Sequence, residues 1–152
     1  MLQPELRELY QQVILDHNKS PRNFKKIENA NRTAEGYNPL CGDKINIFLD
    51  VENGIVKDIS FQGSGCAISK ASASLMSEAV KGKPVEEAKK LFEKFHDLIT
   101  GKLDEEEGIE ELGKLAVLAG VKEFPLRVKC ASLAWHTMLS AINKEEKAVT
   151  TE

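Results

Sequence analysis

Residues 45–80 read INIFLDVENGIVKDISFQGSGCAISKASASLMSEAV, and the hydrophobic period changes once along this stretch. Ile45, Ile47, Leu49 and Val51 alternate with Asn46, Phe48 and Asp50, the two-residue period of a strand with one buried face. IVKDISF, residues 55–61, repeats a similar alternation after Asn53-Gly54, a dipeptide that readily takes the positive φ angles of a tight hairpin. Two antiparallel strands are therefore expected. Gly63 and Gly65 then break the second strand, and AISKASASLMSEAVKG places Ile68, Ala71, Leu75 and Ala79 on one helical face. Cys66 falls at the N-terminal edge of that helix.

Working outward, PELRELYQQVILDH (residues 4–17) opens with Pro4 and an acidic first turn. Leu6, Leu9, Tyr10, Val13 and Ile14 recur at helical spacing, which predicts an amphipathic helix. Asn18, Ser20 and Pro21 end it. A polar segment over 25–36 leads to the turn signal Asn38-Pro39, with a short edge strand around 32–37. Beyond residue 84 the chain is charged and helical in period, and glycine stops divide it into two expected helices up to Gly120. Gly-Lys recurs at 82, 101 and 113 as helix-end chemistry without a surrounding repeat. A last helix is expected over 127–144, with Ala131, Ala134, Trp135, Met138, Ala141 and Ile142 on one face and Cys130 at its edge. The tail KEEKAVTTE has little to bury and is expected to fray.

The chain has 152 residues, 41% of them hydrophobic and 30% charged. These are globular proportions, and one domain, 1–152, is expected. A net charge of −3 offers no basic field for a phosphate backbone, so nucleic acid is a poor partner. The start, MLQPELRELYQQV, lacks a basic-then-apolar signal pattern, and no apolar run is long enough to span a bilayer. A cytoplasmic protein is expected. Its three cysteines then read as reduced thiols with a chemical or metal role rather than as a disulfide framework.

A lone cysteine is more often a small core residue than a ligand. Here position counts against that reading. Cys41 lies in a turn, Cys66 at a glycine-rich strand-to-helix junction and Cys130 near a helix start, and such element ends carry function. A thiol at a helix N-terminus faces the positive end of the dipole, which favours the thiolate, the form that binds metals and attacks electrophiles. Asp43 alone would read as a turn-former. Two residues after Cys41, with Gly42 between them to free the backbone, it becomes a candidate to share a centre with that thiol. Three thiolates and a carboxylate make four ligands. They suit tetrahedral zinc, and spacing alone leaves iron or an iron–sulfur cluster equally open.

The histidines are given no ligand role. His136 lies on the face with Ser132, Ser140 and Asn143, which reads as solvated surface; His96 sits in a charged helix; and His17 is placed at a helix end, where a cation suits the dipole. Arg127 and Lys129, just before Cys130, have two readings: solvated charges, or cations that compensate a negatively charged ligand set.

NPLCGD (38–43), GSGCAISKASASLM (63–76), RVKCASLAWHT (127–137) and, at the front, LYQQVILDHNKSPRN (9–23) together resemble the U-type iron–sulfur cluster assembly proteins, the group that includes the IscU-like and NifU N-terminal-like proteins, and within it the SufU branch. The resemblance covers nearly the whole chain. It implies an α+β fold in which a small antiparallel sheet of about three strands packs against several helices, with the cysteines at one exposed end. Carried over residue by residue, it makes Cys41, Asp43, Cys66 and Cys130 the zinc ligands and Cys41 the thiol that receives sulfur.

Two features resemble SufU more than the scaffold proteins. Lys129 stands where scaffolds typically have histidine, and the long interval between Cys66 and Cys130 holds a charged helical insertion, about 84–121. The resemblance implies a sulfurtransferase-like partner of a pyridoxal-phosphate cysteine desulfurase of the SufS type, not a stand-alone enzyme. On docking, a partner histidine would replace Cys41 on the zinc and free it to attack the persulfide. Arg127 and the first helix are expected near the docking surface, and other iron–sulfur assembly proteins would be downstream partners. Two alternatives are a scaffold that assembles iron and sulfide on the same ligands, and a zinc module whose metal only supports the fold.

Overall fold

The computed structural model describes residues 4–145 and 148–151. Helix α1 (Pro4–Lys19) is followed by strands β1 (Arg32–Asn38), β2 (Asp43–Glu52) and β3 (Ile55–Ser64), then α2 (Ala67–Val80), α3 (Val85–Ile99) and α4 (Glu105–Leu112). A 3₁₀ segment over Gly113–Glu123, helix α5 (Pro125–Ile142) and a short β4 (Val149–Thr150) complete the order. The fold is α+β, as expected.

The Asn53-Gly54 turn forms as its residue types demand, with φ of 55° and 75°. It joins β2 to β3 in an antiparallel pair whose register shifts between Asp50 and Val51. Along β2, Ile45, Ile47 and Leu49 point into the core. The alternation expected for IVKDISF is lost in the structure, because Val56, Ile59, Ser60 and Phe61 are all buried. Part of the reason is the register shift, which pairs Val51 with Val56 and Asp50 with Asp58 and so brings Val56 into phase with Ile59 and Phe61; the loop between α1 and β1 adds cover. Asn23 and Phe24 cover the outer edge of β3, with the Phe61 N–H donating to the Asn23 carbonyl at 3.0 Å and the Phe24 ring meeting Phe61 edge-on at 5.2 Å. A covered edge leaves no row of free backbone groups.

The sheet has four strands in the order β3-β2-β1-β4 rather than about three, and it is mixed. The extra strand comes from the tail expected to fray. Val149 and Thr150 pair in parallel with Gly36 and Tyr37, so backbone hydrogen bonding holds a segment that has little side chain to bury. Glu146, Lys147 and Glu152, also part of that expectation, lie outside the described residues, as do Met1–Gln3 of the expected signal-free start.

Helix α2 is the centre of the molecule. The expected single apolar face proves too narrow: Ser69, Ala71, Ser72, Ala73, Ser74, Leu75, Met76, Ser77 and Val80 are all buried. Small side chains let α1, α5 and β3 approach it closely, and its serines find partners. Ser72 Oγ donates to the Ala131 carbonyl at 2.6 Å and accepts from Trp135 Nε1 at 3.2 Å. Trp135 in turn stacks on Phe95 of α3 with centroids 4.6 Å apart. On α1, Tyr10, Val13 and Ile14 pack on the core, whereas Leu9 is exposed.

The second of the two helices expected between 84 and 120 is divided. Gly113, at φ +55° and ψ −122°, a positive-φ conformation open to glycine, ends α4, and the following 3₁₀ segment buries Leu115, Ala116, Val117, Leu118, Ala119 and Val121. Among the described residues no helix is long and apolar enough to cross a membrane.

Candidate metal centre

NPLCGD forms the mouth and tip of a hairpin. Asn38 and Asp43 are the last paired residues of β1 and β2, and Pro39, Leu40, Cys41 and Gly42 loop between them. The Cys41 N–H donates to the Asn38 carbonyl at 3.2 Å, and Gly42 takes φ +71°, a left-handed conformation that glycine adopts without cost. The loop therefore holds Cys41 exposed, while Asp43 turns inward and is 2% exposed.

The β3–α2 junction meets this hairpin directly. Oδ1 of Asp43 accepts the Cys66 N–H at 2.8 Å, and a Cβ on Gly65 would collide with the same carboxylate. Cys66 is the N-cap of α2, its Sγ accepting from Ser69 N at 3.4 Å and lying 3.9 Å from Asp43 Oδ2. Cys130 comes from the first turns of α5. It is 2% exposed, with Sγ 3.2 Å from Cys41 Sγ and 3.4 Å from the Leu126 carbonyl.

One ligand atom each from Cys41, Asp43 and Cys130 lies within 4.8 Å of the other two, and Cys66 adjoins the group through Asp43. Residues from a hairpin loop, a helix cap and a distant helix thus meet at one end of the sheet. Burial pushes the Cys130 thiol well above its ordinary pKa, followed by its hydrogen bond with Cys41 and by the proximity of Cys66 and Asp43. Such a site disfavours uncompensated negative charge, and a divalent cation supplies the compensation. The donor set fits zinc: four candidate donors, three of them thiol sulfurs and one a carboxylate. A tetrahedral ion with Zn–S bonds of about 2.3 Å separates its sulfurs by roughly 3.8 Å, so the Cys41–Cys130 pair needs only a small opening.

Beside this group the Arg127 guanidinium lies over the Phe124 ring at 4.9 Å, and the Lys129 backbone carbonyl accepts from Ser132 Oγ at 3.3 Å. Near the site Leu40, Phe124 and Leu126 are large apolar side chains left exposed.

The histidine readings are corrected. His17 is fully buried, with Nδ1 2.7 Å from Ser74 Oγ. Burial first, then the charges of Lys114 and Arg22, lower its pKa against the opposing charges of Glu78 and Asp16. His136 is half-buried, with Phe92 at 5.0 Å and His96 at 5.9 Å between ring centroids. Ser132 and Ser140 on its face are buried too.

The Asn38-Pro39 turn signal accounts for Asn38 only as a turn-former. Its side chain is fully buried, with Nδ2 3.4 Å from Asp43 Oδ2 and 3.4 Å from Cys130 Sγ. The one signal available was its place at the head of NPLCGD, and the Asn-Pro turn explained that on its own.

Comparison with known proteins points to one family. A family model described as NifU-like N terminal domain matches residues 9–146. The chain is 44% identical over 138 residues to the zinc-dependent sulfurtransferase SufU of Bacillus subtilis (strain 168), covering 91% of this chain and 92% of that protein. It is 41% identical over 136 residues to the iron–sulfur cluster assembly scaffold protein IscU of Thermotoga maritima, covering 90% and 94% respectively. A crystal structure of a putative iron–sulfur cluster assembly scaffold protein for the SUF system from Fervidobacterium islandicum AW-1 superposes with a TM-score of 0.80 at 35% identity, covering 90% of this chain and 98% of that one.

Proposed function

The chain belongs to the family of the NifU-like N-terminal domain, and from that membership we propose that it serves iron–sulfur cluster assembly as a zinc-dependent sulfur acceptor, with Cys41 as the receiving thiol. The observation that carries this reading is an asymmetry of exposure. Asp43 and Cys130 are each 2% exposed, whereas Cys41 stands exposed on a loop tip. A purely structural site would enclose all of its ligands. The 44% identical relative is named a zinc-dependent sulfurtransferase, which supports the same choice.

Zinc held by Cys41, Asp43, Cys66 and Cys130 would keep the thiols deprotonated and shield them from oxidation. The chain's own residues do the rest. Asp43 and Cys130 stay in the protein interior, and Cys41, on a loop pivoting at Gly42, swings outward. Its thiolate attacks the terminal sulfur of a persulfide carried by a pyridoxal-phosphate cysteine desulfurase of the SufS type. A new S–S bond forms at Cys41, the donor's S–S bond breaks, and the donor cysteine leaves as a thiolate. No external oxidant or reductant is needed. The three free cysteines support a reducing, cytoplasmic setting, and further iron–sulfur assembly proteins would take the sulfur onward.

The scaffold reading has its own support, since the Thermotoga maritima relative is named a scaffold and thiolates hold clusters as well as zinc. One experiment separates the readings: metal content and intact mass after anaerobic purification, before and after incubation with a cysteine desulfurase and cysteine. Zinc with a sulfur adduct mapped to Cys41 is the expected result. Zinc without an adduct would favour a structural module, and iron with acid-labile sulfide would favour the scaffold.

A further inference from the structure

The three thiols differ in their N–H donors as well as in exposure. Cys66 Sγ accepts from the Ser69 N–H at 3.4 Å, and Cys130 Sγ lies 3.4 Å from the Asn38 amide nitrogen. Cys41 Sγ receives no N–H among the described residues; its one hydrogen-bond neighbour is the Cys130 sulfur at 3.2 Å. The Asn38 amide is oriented by what it faces. With Nδ2 toward Cys130 and toward Asp43 Oδ2 at 3.4 Å, its Oδ1 is buried with no partner. The opposite flip would aim that oxygen at a carboxylate and a sulfur, so the orphaned carbonyl is the lesser cost.

An N–H directed at a metal-bound thiolate withdraws charge from the sulfur, making it a poorer nucleophile and orienting it as a ligand. We propose that Asn38 is a positioning residue that decides which thiolate reacts. Its two N–H groups hold Cys130 and Asp43 in place as retained ligands, the Ser69 N–H does the same for Cys66, and Cys41, left without an N–H donor, is the sulfur that is released. This rests on the zinc reading above and adds to it the residue that gives the site its selectivity.

The test is the position of alkylation in the zinc-loaded full-length protein treated with limiting iodoacetamide. In that reaction a thiolate sulfur bonds to the methylene carbon and iodide leaves. Wild-type protein is expected to react at Cys41. Asn38→Leu keeps the shape of the side chain and removes both N–H groups, so a packing role would survive it. It should raise the share of label on Cys130 by about tenfold or more, the scale on which groups behind metal ligands act. In the cobalt-substituted protein it should move the thiolate-to-metal charge-transfer band to longer wavelength. Should Asn38→Leu fail to fold, Asn38→Ala is read in the same way. Label confined to Cys41 with an unmoved band overturns the role of Asn38 while leaving the metal site standing. Wild-type protein that takes up neither ion overturns the proposal together with the zinc reading.

Discussion

The backbone N–H of Cys66 donates a 2.8 Å hydrogen bond to Oδ1 of Asp43, so this aspartate ties the start of α2 to the β1–β2 hairpin as well as facing the thiols. Asp43→Ala leaves the Cys66 N–H without its acceptor and takes from the buried Asn38 amide one of its two acceptors, Cys130 Sγ being the other. A loss of about 1–3 kcal/mol in folding stability is expected. Zinc binding should weaken by at least about tenfold, with Cys41 more reactive. Denaturant titration and competition with a chelator check the two effects separately, and unchanged zinc affinity would remove Asp43 from the ligand set.

Gly65 is required by that same contact, since a Cβ there would collide with the Asp43 carboxylate. Gly65→Ala should destabilise the protein by roughly 1–3 kcal/mol, the cost of forcing atoms into a filled space, and should weaken metal binding by displacing Asp43. A variant as stable as wild type, with equal zinc affinity, would show that the junction yields freely.

Cys41 is exposed, and its side chain supports no core packing. Cys41→Ala is expected to change metal-free stability by no more than about 0.5 kcal/mol while abolishing sulfur acceptance. The check pairs a denaturation curve with mass analysis after incubation with desulfurase and cysteine. Normal stimulation of the desulfurase by this variant would exclude Cys41 as acceptor.

Acid should weaken the fold through His17. Burial, reinforced by Lys114 and Arg22, lowers its pKa below the ordinary 6.5, and burial together with His96 lowers that of His136 as well. The unfolded chain then binds more protons than the native one once the pH drops below about 6.5. The stability tied to these neutral rings is fully present above that value and is lost as the pH falls toward the depressed native pKa. His17→Asn should reduce the slope. Denaturant midpoints at about pH 7.5 and about pH 5.5 would measure it, and an identical slope in the variant would assign the acid sensitivity elsewhere.

Sequence alone determined the features that depend on neighbours along the chain: the Asn53-Gly54 hairpin, the break at Gly65, the cap position of Cys66 and the exposed turn at Cys41; Gly63, also expected to break β3, instead pairs with Ile45 inside it. Backbone period, turn φ and helix ends are local properties, so residue types suffice to read them. The candidate donors were legible as residue types, and the family resemblance supplied their grouping. Their meeting at one end of the sheet was decided by tertiary structure, since Cys41 and Cys130 touch only because α5 packs across β1 and β2. Tertiary structure also decided the burial of His17 and His136, the enclosure of α2 on nearly every side, the pairing of Val149 and Thr150 with β1, and the aim of the Asn38 amide. In each of these cases burial and hydrogen bonding depend on segments far apart in sequence, and no local period records which of them will arrive.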